Sequence, residues 1–179
     1  MGTLKDLILA EHSKAQALLI ADLVAQKPEL ISDLIAYTFA NEEPLSRRAS
    51  WPLRLLFDHN PAILKESLHL LINQLDKIQN KAVLRNIFAL LANAEIPEYK
   101  KSFLLDFSAN AILNPESPVA VIAHASSLFA KIAGNELILI NELILMLEQV
   151  ASQKSGGIQA KMCQIKRIGN KLEKNKTEK

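Results

Sequence analysis

The chain of 179 residues has one cysteine, five glycines and only nine aromatic residues. A lone Cys163 excludes an internal disulfide framework and fits a reducing compartment. Scarce glycine and aromatics leave an aliphatic, Ala- and Leu-rich composition that favours helices over strands. No segment alternates apolar and polar residues with period two between turn signals, so no sheet is expected. The longest apolar run, Glu136 to Val150, is broken by Asn141 and Glu142 and is too short to span a bilayer. The N-terminus lacks the basic, apolar and small-residue regions of a signal peptide, which makes the cytoplasm the expected location.

Charge is also sparse. A net +2 is too little for a dedicated nucleic-acid binder. It is also unevenly placed: Lys161 to Lys179 carries seven basic and two acidic residues, a net +5, so the first 160 residues sum to −3. No aromatic residues interleave with the tail's lysines for base stacking.

Site chemistry is equally thin. His12, His59, His69 and His124 belong to no HExxH and to no Cys/His pair at metal-ligand spacing. Gly156-Gly157 is an isolated pair rather than a phosphate loop, and no G-x-S-x-G elbow occurs. The carboxylates form no distinctive acid/base pair. The sequence therefore points to no catalytic residue, no cofactor and no metal.

What it has is punctuation. "KPEL", "NPAI", "IPEY" and "SPVA" each put proline at a helix start, where its missing N–H costs nothing. Asn60 and Ser117 precede two of these prolines and are expected to cap. Thr3 with Asp6 and Ser13 with Gln16 fit the capping-box pattern. Gly134-Asn135 reads as a helix stop followed by a new cap. "SQKSGG", Ser152 to Gly157, is the one Gly/Ser-rich connection. These signals predict ten helices, near 3–11, 13–26, 28–40, 44–59, 61–76, 79–94, 97–113, 118–133, 136–152 and 157–172. The last of these should lose its hold after Leu172, where apolar content ends.

The helices pair with a loose period. Pro28 to Pro61 is 33 residues, Pro61 to Pro97 is 36, and Pro97 to Glu136 is 39. In 79–94, Val83, Ile87, Leu90 and Leu91 form one stripe that Leu84 and Phe88 extend, so this helix must touch several others. Stacked helical hairpins meet that demand.

With this pair length, proline near first-helix starts and the second-helix opening "SPVAVIAHASSLFAKIA", the chain resembles HEAT and armadillo-like α-solenoids. The resemblance implies an all-α fold: a right-handed superhelical stack of about five hairpins forming one domain over 1–172, with a basic tail at 173–179. It further implies a non-catalytic scaffold or adaptor for another macromolecule, foremost a protein. The alternative it carries is a nucleic-acid-binding protein related to the HEAT-like alkylpurine DNA glycosylases, using a basic concave face. No set of acidic and aromatic residues here matches the pocket of those enzymes. The signature loop of adenylosuccinate lyase is absent too, and the chain is far too short for that fold.

The candidate partner-binding residues are basic and lie on second helices: Arg47, Arg48, Arg54, Lys81 and Arg85, with Lys161, Lys166 and Arg167 at comparable places further on. Facing outward, they would meet a phosphate backbone or an acidic peptide. Facing neighbouring repeats, they would hold carboxylates and carbonyls. Glu43 before Arg47 and Asp58 after Arg54, each four residues away, favour local neutralisation. Trp51 is expected to pack between repeats. Leu45, Ala49, Pro52, Leu53 and Leu56 share a broad face of their helix. Pro52 removes the bond to the Arg48 carbonyl, so a bend or break is expected there.

Overall fold

The computed structural model describes residues 2–151 and 156–177, with backbone alone at Leu64, Lys176 and Thr177. Among the described residues there is no strand. Five helical pairs follow one another. The first is α1 (Leu4–Ala10) and α2 (Lys14–Gln26). The second is α3 (Ile31–Thr38), entered through a 3-10 turn at Pro28–Leu30, and α4 (Leu45–His59). The third is α5 (Leu68–Ile72) and α6 (Lys81–Leu91), and the fourth is α7 (Lys101–Leu113), entered through Glu98–Lys100, and α8 (Val119–Ala133). The fifth is α9 (Leu137–Ala151) and α10 (Gly156–Thr177). Among the described residues no helix is long and apolar enough to cross a membrane.

The chain divides into two compact units, Met1–Ala94 and Glu95–Lys179. In the first, the second helices stack in chain order: α2 packs on α4 and α4 on α6, while α3 lies against α4. The centre is α4. Its Leu45, Ala49, Leu53 and Leu56 are almost fully buried, and Pro52 is buried beside them. Each buried leucine contributes about 1.5–3 kcal/mol. In the second unit α7 packs on α8 and α9 on α10, with α8 against both helices of the last pair. Phe129, Leu128, Ile140, Leu143 and Leu147 lie in its core.

Caps explain several ends. Thr3 and Asp6 form the expected reciprocal box: Asp6 N–H donates to Thr3 Oγ1 at 3.2 Å and Thr3 N–H to Asp6 Oδ2 at 2.8 Å. The Thr3 hydroxyl also donates to Asp6 Oδ2, at 2.9 Å, and the two bonds that the carboxylate accepts from Thr3, N–H first, hold the Asp6 carboxyl below its ordinary value. Ser13 accepts from Gln16 N–H, but the Gln16 side chain donates instead to the Leu7 carbonyl at 2.7 Å, tying α2 to α1. Gly134 ends α8 at φ +55°, a conformation that favours glycine. Asn60 makes no capping bond to the turn that follows it, and the N-cap position of α8 is taken by Pro118 rather than Ser117.

Three expectations need correction. The helix expected over 61–76 is broken into 3-10 turns at Pro61–Leu64 and Leu75–Lys77 around a short α5. Here Lys65, Leu70, Gln74 and Lys77 donate backbone bonds to carbonyls three residues back. The side chains of His69 and Gln74 bond to the carbonyls of Glu66 and Leu70, competing for backbone partners. Of the bend or break expected at Pro52, the break does not occur: α4 is helical throughout. Burial of α4 between α2 and α6 outweighs the missing bond, and the Ser50 hydroxyl donates to the Arg47 carbonyl at 2.9 Å one turn earlier. Finally, α10 continues past Leu172 to Thr177, because its Lys, Glu and Asn residues contain no helix breaker. Most of the Ser152–Gly157 connection lies outside the described residues, with α10 already formed at Gly156. Residues 178–179 of the tail lie outside them as well.

Candidate partner-binding surface

The five basic candidates occupy two helices of the first unit, and their environments differ. Arg47 is exposed and sits 3.6 Å from Glu43, one turn earlier. Arg54 is half-buried, with Nε 3.4 Å from Asp58 Oδ2. Both pairs have the spacing that neutralises charge along one helix. Arg48 turns inward: its Nη1 donates to the carbonyl of Leu9, at the end of α1, at 2.6 Å. Lys81 and Arg85 are exposed on α6. In the second unit Lys166 of α10 meets Glu148 of α9 at 2.6 Å. Lys161, partly covered on α10, is held below the ordinary lysine value by desolvation.

Trp51 lies one turn from Arg48, half-buried, with its ring 5.7 Å from that of His12 in an edge-to-face arrangement. His12 stands in the corner between α1 and α2. Arg48 and Trp51 together therefore fasten α4 to the corner of the preceding pair. Arg48 Nε is buried without a hydrogen-bond partner, and the buried Arg54 Nε has the Asp58 carboxylate as its ion-pair partner, so neither Nε is open to an outside ligand.

Sequence reasoning missed a set of polar groups that perform the same fastening. Asn41 adopts φ +54°, a conformation that asparagine tolerates better than most residues. From there its Nδ2 donates to the Lys77 carbonyl at 2.8 Å, and its Oδ1 accepts from Gln79 N–H at 3.3 Å. Asn80 caps α6 through Ala82 and Val83 N–H while its amide donates to the Glu43 carboxylate. Lys5 pairs with Glu42 at 3.4 Å. In the core, Asn86 Nδ2 donates to Ser50 Oγ at 2.9 Å, leaving Asn86 Oδ1 buried without a partner. These bonds join residues 36 to 38 apart, and the Arg48 bond to Leu9 spans 39. The repeat period is the one signal that could have found them.

Apolar exposure has a separate address. Of the eight large apolar side chains left exposed among the described residues, six stand on first helices: Leu70, Tyr99, Phe103, Leu113, Ile138 and Leu145. Tyr99, Phe103 and Phe107 recur every four residues along the entry turn and α7, with the two phenylalanine rings stacked 6.0 Å apart. Ile138 and Leu145, 79% and 66% exposed, stand two turns apart on α9. No group of three or more His, Cys, Asp or Glu among the described residues could hold a metal ion.

Comparison with curated proteins and with solved structures returned no match. A family model does match: the HEAT repeat domain, over residues 4–169. That span reaches all five helical pairs, ending inside α10, and includes the cross-pair bonds that recur with the repeat. The chain belongs to the HEAT repeat family.

Proposed function

We propose that the chain is a non-catalytic scaffold that binds another protein through the exposed apolar side chains of its first helices. The observation that carries this reading is the exposure of Tyr99 and Phe103, the latter stacked on the half-buried Phe107, with Ile138 and Leu145 exposed on the next first helix. Aromatic and aliphatic groups left in water at helical spacing suit a partner that removes them from solvent, and aromatics are the usual anchors of such contacts. The exposed thiol of Cys163 fits a cytoplasmic setting for this role. Affinity capture from the source cell with the wild-type chain and with Phe103→Glu and Leu145→Glu tests it. A protein recovered by the wild type and lost by both variants supports the reading. Equal recovery by all three chains overturns it.

The second reading, nucleic-acid binding through second helices, draws on the exposed Arg47 and Arg85 with Lys81 beside them. Its support is smaller, because Arg47 and Arg54 face carboxylates and Arg48 is spent on Leu9. Retardation of duplex or single-stranded DNA at low salt, lost in Arg47→Ala/Arg85→Ala, would favour it. A complete lack of retardation at low salt eliminates it.

A further inference from the structure

The second helix of the first pair is apolar on two opposite sides. Ala17, Ile20, Ala21 and Val24 form the stripe that is buried. On the other side of α2, Ala15, Leu18, Leu19, Leu23 and Gln26 face a groove of about 920 Å³. Leu4 and Leu7 of α1 and Leu30 of the following turn complete its wall, so six leucines line it, and Leu19 is 51% exposed. Among the described residues nothing covers this face.

A helix apolar on both sides is the pattern of an interior repeat, packed between two neighbours. The outer helix of a repeat array normally turns a polar face to water. By contrast, α10 does so: Arg167, Lys171 and Lys174 recur at one-turn spacing on its exposed side. The kind of body that fits against α2 is shown inside the first unit, where α4 covers the helix's buried side. It is another hairpin of the same type.

The rim of the groove narrows the choice. It carries both signs of charge, Asp22 and Glu29 with Lys27 close by in sequence. In a two-fold pair the same patch meets itself, so each Lys27 can face the carboxylates of the other copy while leucines meet in the centre. We propose that this face joins two copies of the chain in an isologous dimer, with the leucines of α1 and α2 as its apolar core and Lys27 opposite Asp22 and Glu29 as its rim. An apolar centre ringed by paired charges is the normal anatomy of such an interface.

Sedimentation equilibrium of the full chain across concentration tests this directly. The wild type should form a dimer that dissociates on dilution. Leu19→Glu, at an exposed position, should raise the dissociation constant about tenfold or more while the helical circular dichroism stays unchanged. Lys27→Glu and the double variant Asp22→Lys/Glu29→Lys should each weaken self-association, and an equimolar mixture of the two should restore a heterodimer. A wild type that remains monomeric at all concentrations overturns the proposal. So does a dimer indifferent to Leu19→Glu, and a charge-swapped mixture that fails to pair removes the two-fold arrangement.

Discussion

Arg48 on α4 holds the carbonyl oxygen of Leu9 at 2.6 Å, across 39 residues of sequence and from one helical pair to the next. That carbonyl lies in the last turn of α1, where no following N–H is available to it, so a guanidinium suits both the orphan acceptor and the helix dipole. Arg48→Ala is expected to cost about 1.5–3 kcal/mol, the range for a bond to a charged group. Arg85→Ala, at an exposed position on α6, should fall within about 0.5 kcal/mol of wild type. Urea unfolding of the two variants separates an arginine that joins repeats from one that faces solvent.

Ser50 and Asn86 form the second test. Ser50→Ala removes the acceptor of Asn86 Nδ2 inside the core and should destabilise by about 1–3 kcal/mol, the cost of leaving a buried donor unsatisfied. Asn86→Leu removes the donor and also the unpartnered Oδ1, while Ser50 keeps its bond to the Arg47 carbonyl. Added to Ser50→Ala, it should recover part of the loss. A double variant that loses the sum of the two single effects would show that the pair is not coupled.

Two glycines of α10 should respond oppositely to alanine. At Gly169 an added Cβ would lie 3.5 Å from Ile140 Cγ2 and Ile144 Cδ1, ordinary contact distances, so Gly169→Ala should stabilise by about 0.5–1 kcal/mol. At Gly157 the same atom would come within 2.9 Å of Val119 Cγ1, where α10 approaches the start of α8. Gly157→Ala must displace that short, branched side chain, and thermal melts should show a lower midpoint than for Gly169→Ala.

Alkaline pH provides a fourth test. Desolvation holds the Lys161 ammonium below 10.5 in the folded chain, so the unfolded chain binds more protons in the window between the folded value and 10.5. Stability contributed by this group therefore rises as pH rises through that window. Lys131 moves the same way through desolvation, opposed by the charge of Glu95. Lys161→Met should raise stability at neutral pH and flatten the alkaline rise in chemical denaturation. Asp6 has the opposite sign: its contribution is present above 3.8 and is lost as pH falls through its lower folded value.

Proline and capping signals made the architecture readable. Thr3, Pro28, Pro61 and Gly134 mark boundaries that the structure keeps, and apolar spacing identified the buried face of α4 at Leu45, Ala49, Leu53 and Leu56. The failures have local causes. Residues 61–76 carry a helical apolar pattern, but their polar side chains take carbonyls that a regular helix would use. Pro52 reads as a breaker until the packing on both sides of α4 is known. The candidate surface was harder still. Arg48 and Arg85 look alike in sequence, and only the corner at Leu9 and His12 decides which one turns inward. Nothing in the spacing of Leu18, Leu19 and Leu23 separates a covered face from an open one.

The cross-pair bonds of the first unit also bear on how the chain acquires its structure. The hydrogen bonds described between its helical pairs close loops of 36 to 39 residues. The entropic cost of loop closure grows with the length of the loop, and none of these bonds must wait for a more distant part of the polypeptide. A ribosome that has released α4 has already supplied every partner that α1 uses in these bonds. The first unit can therefore assemble pair by pair in the order of its synthesis.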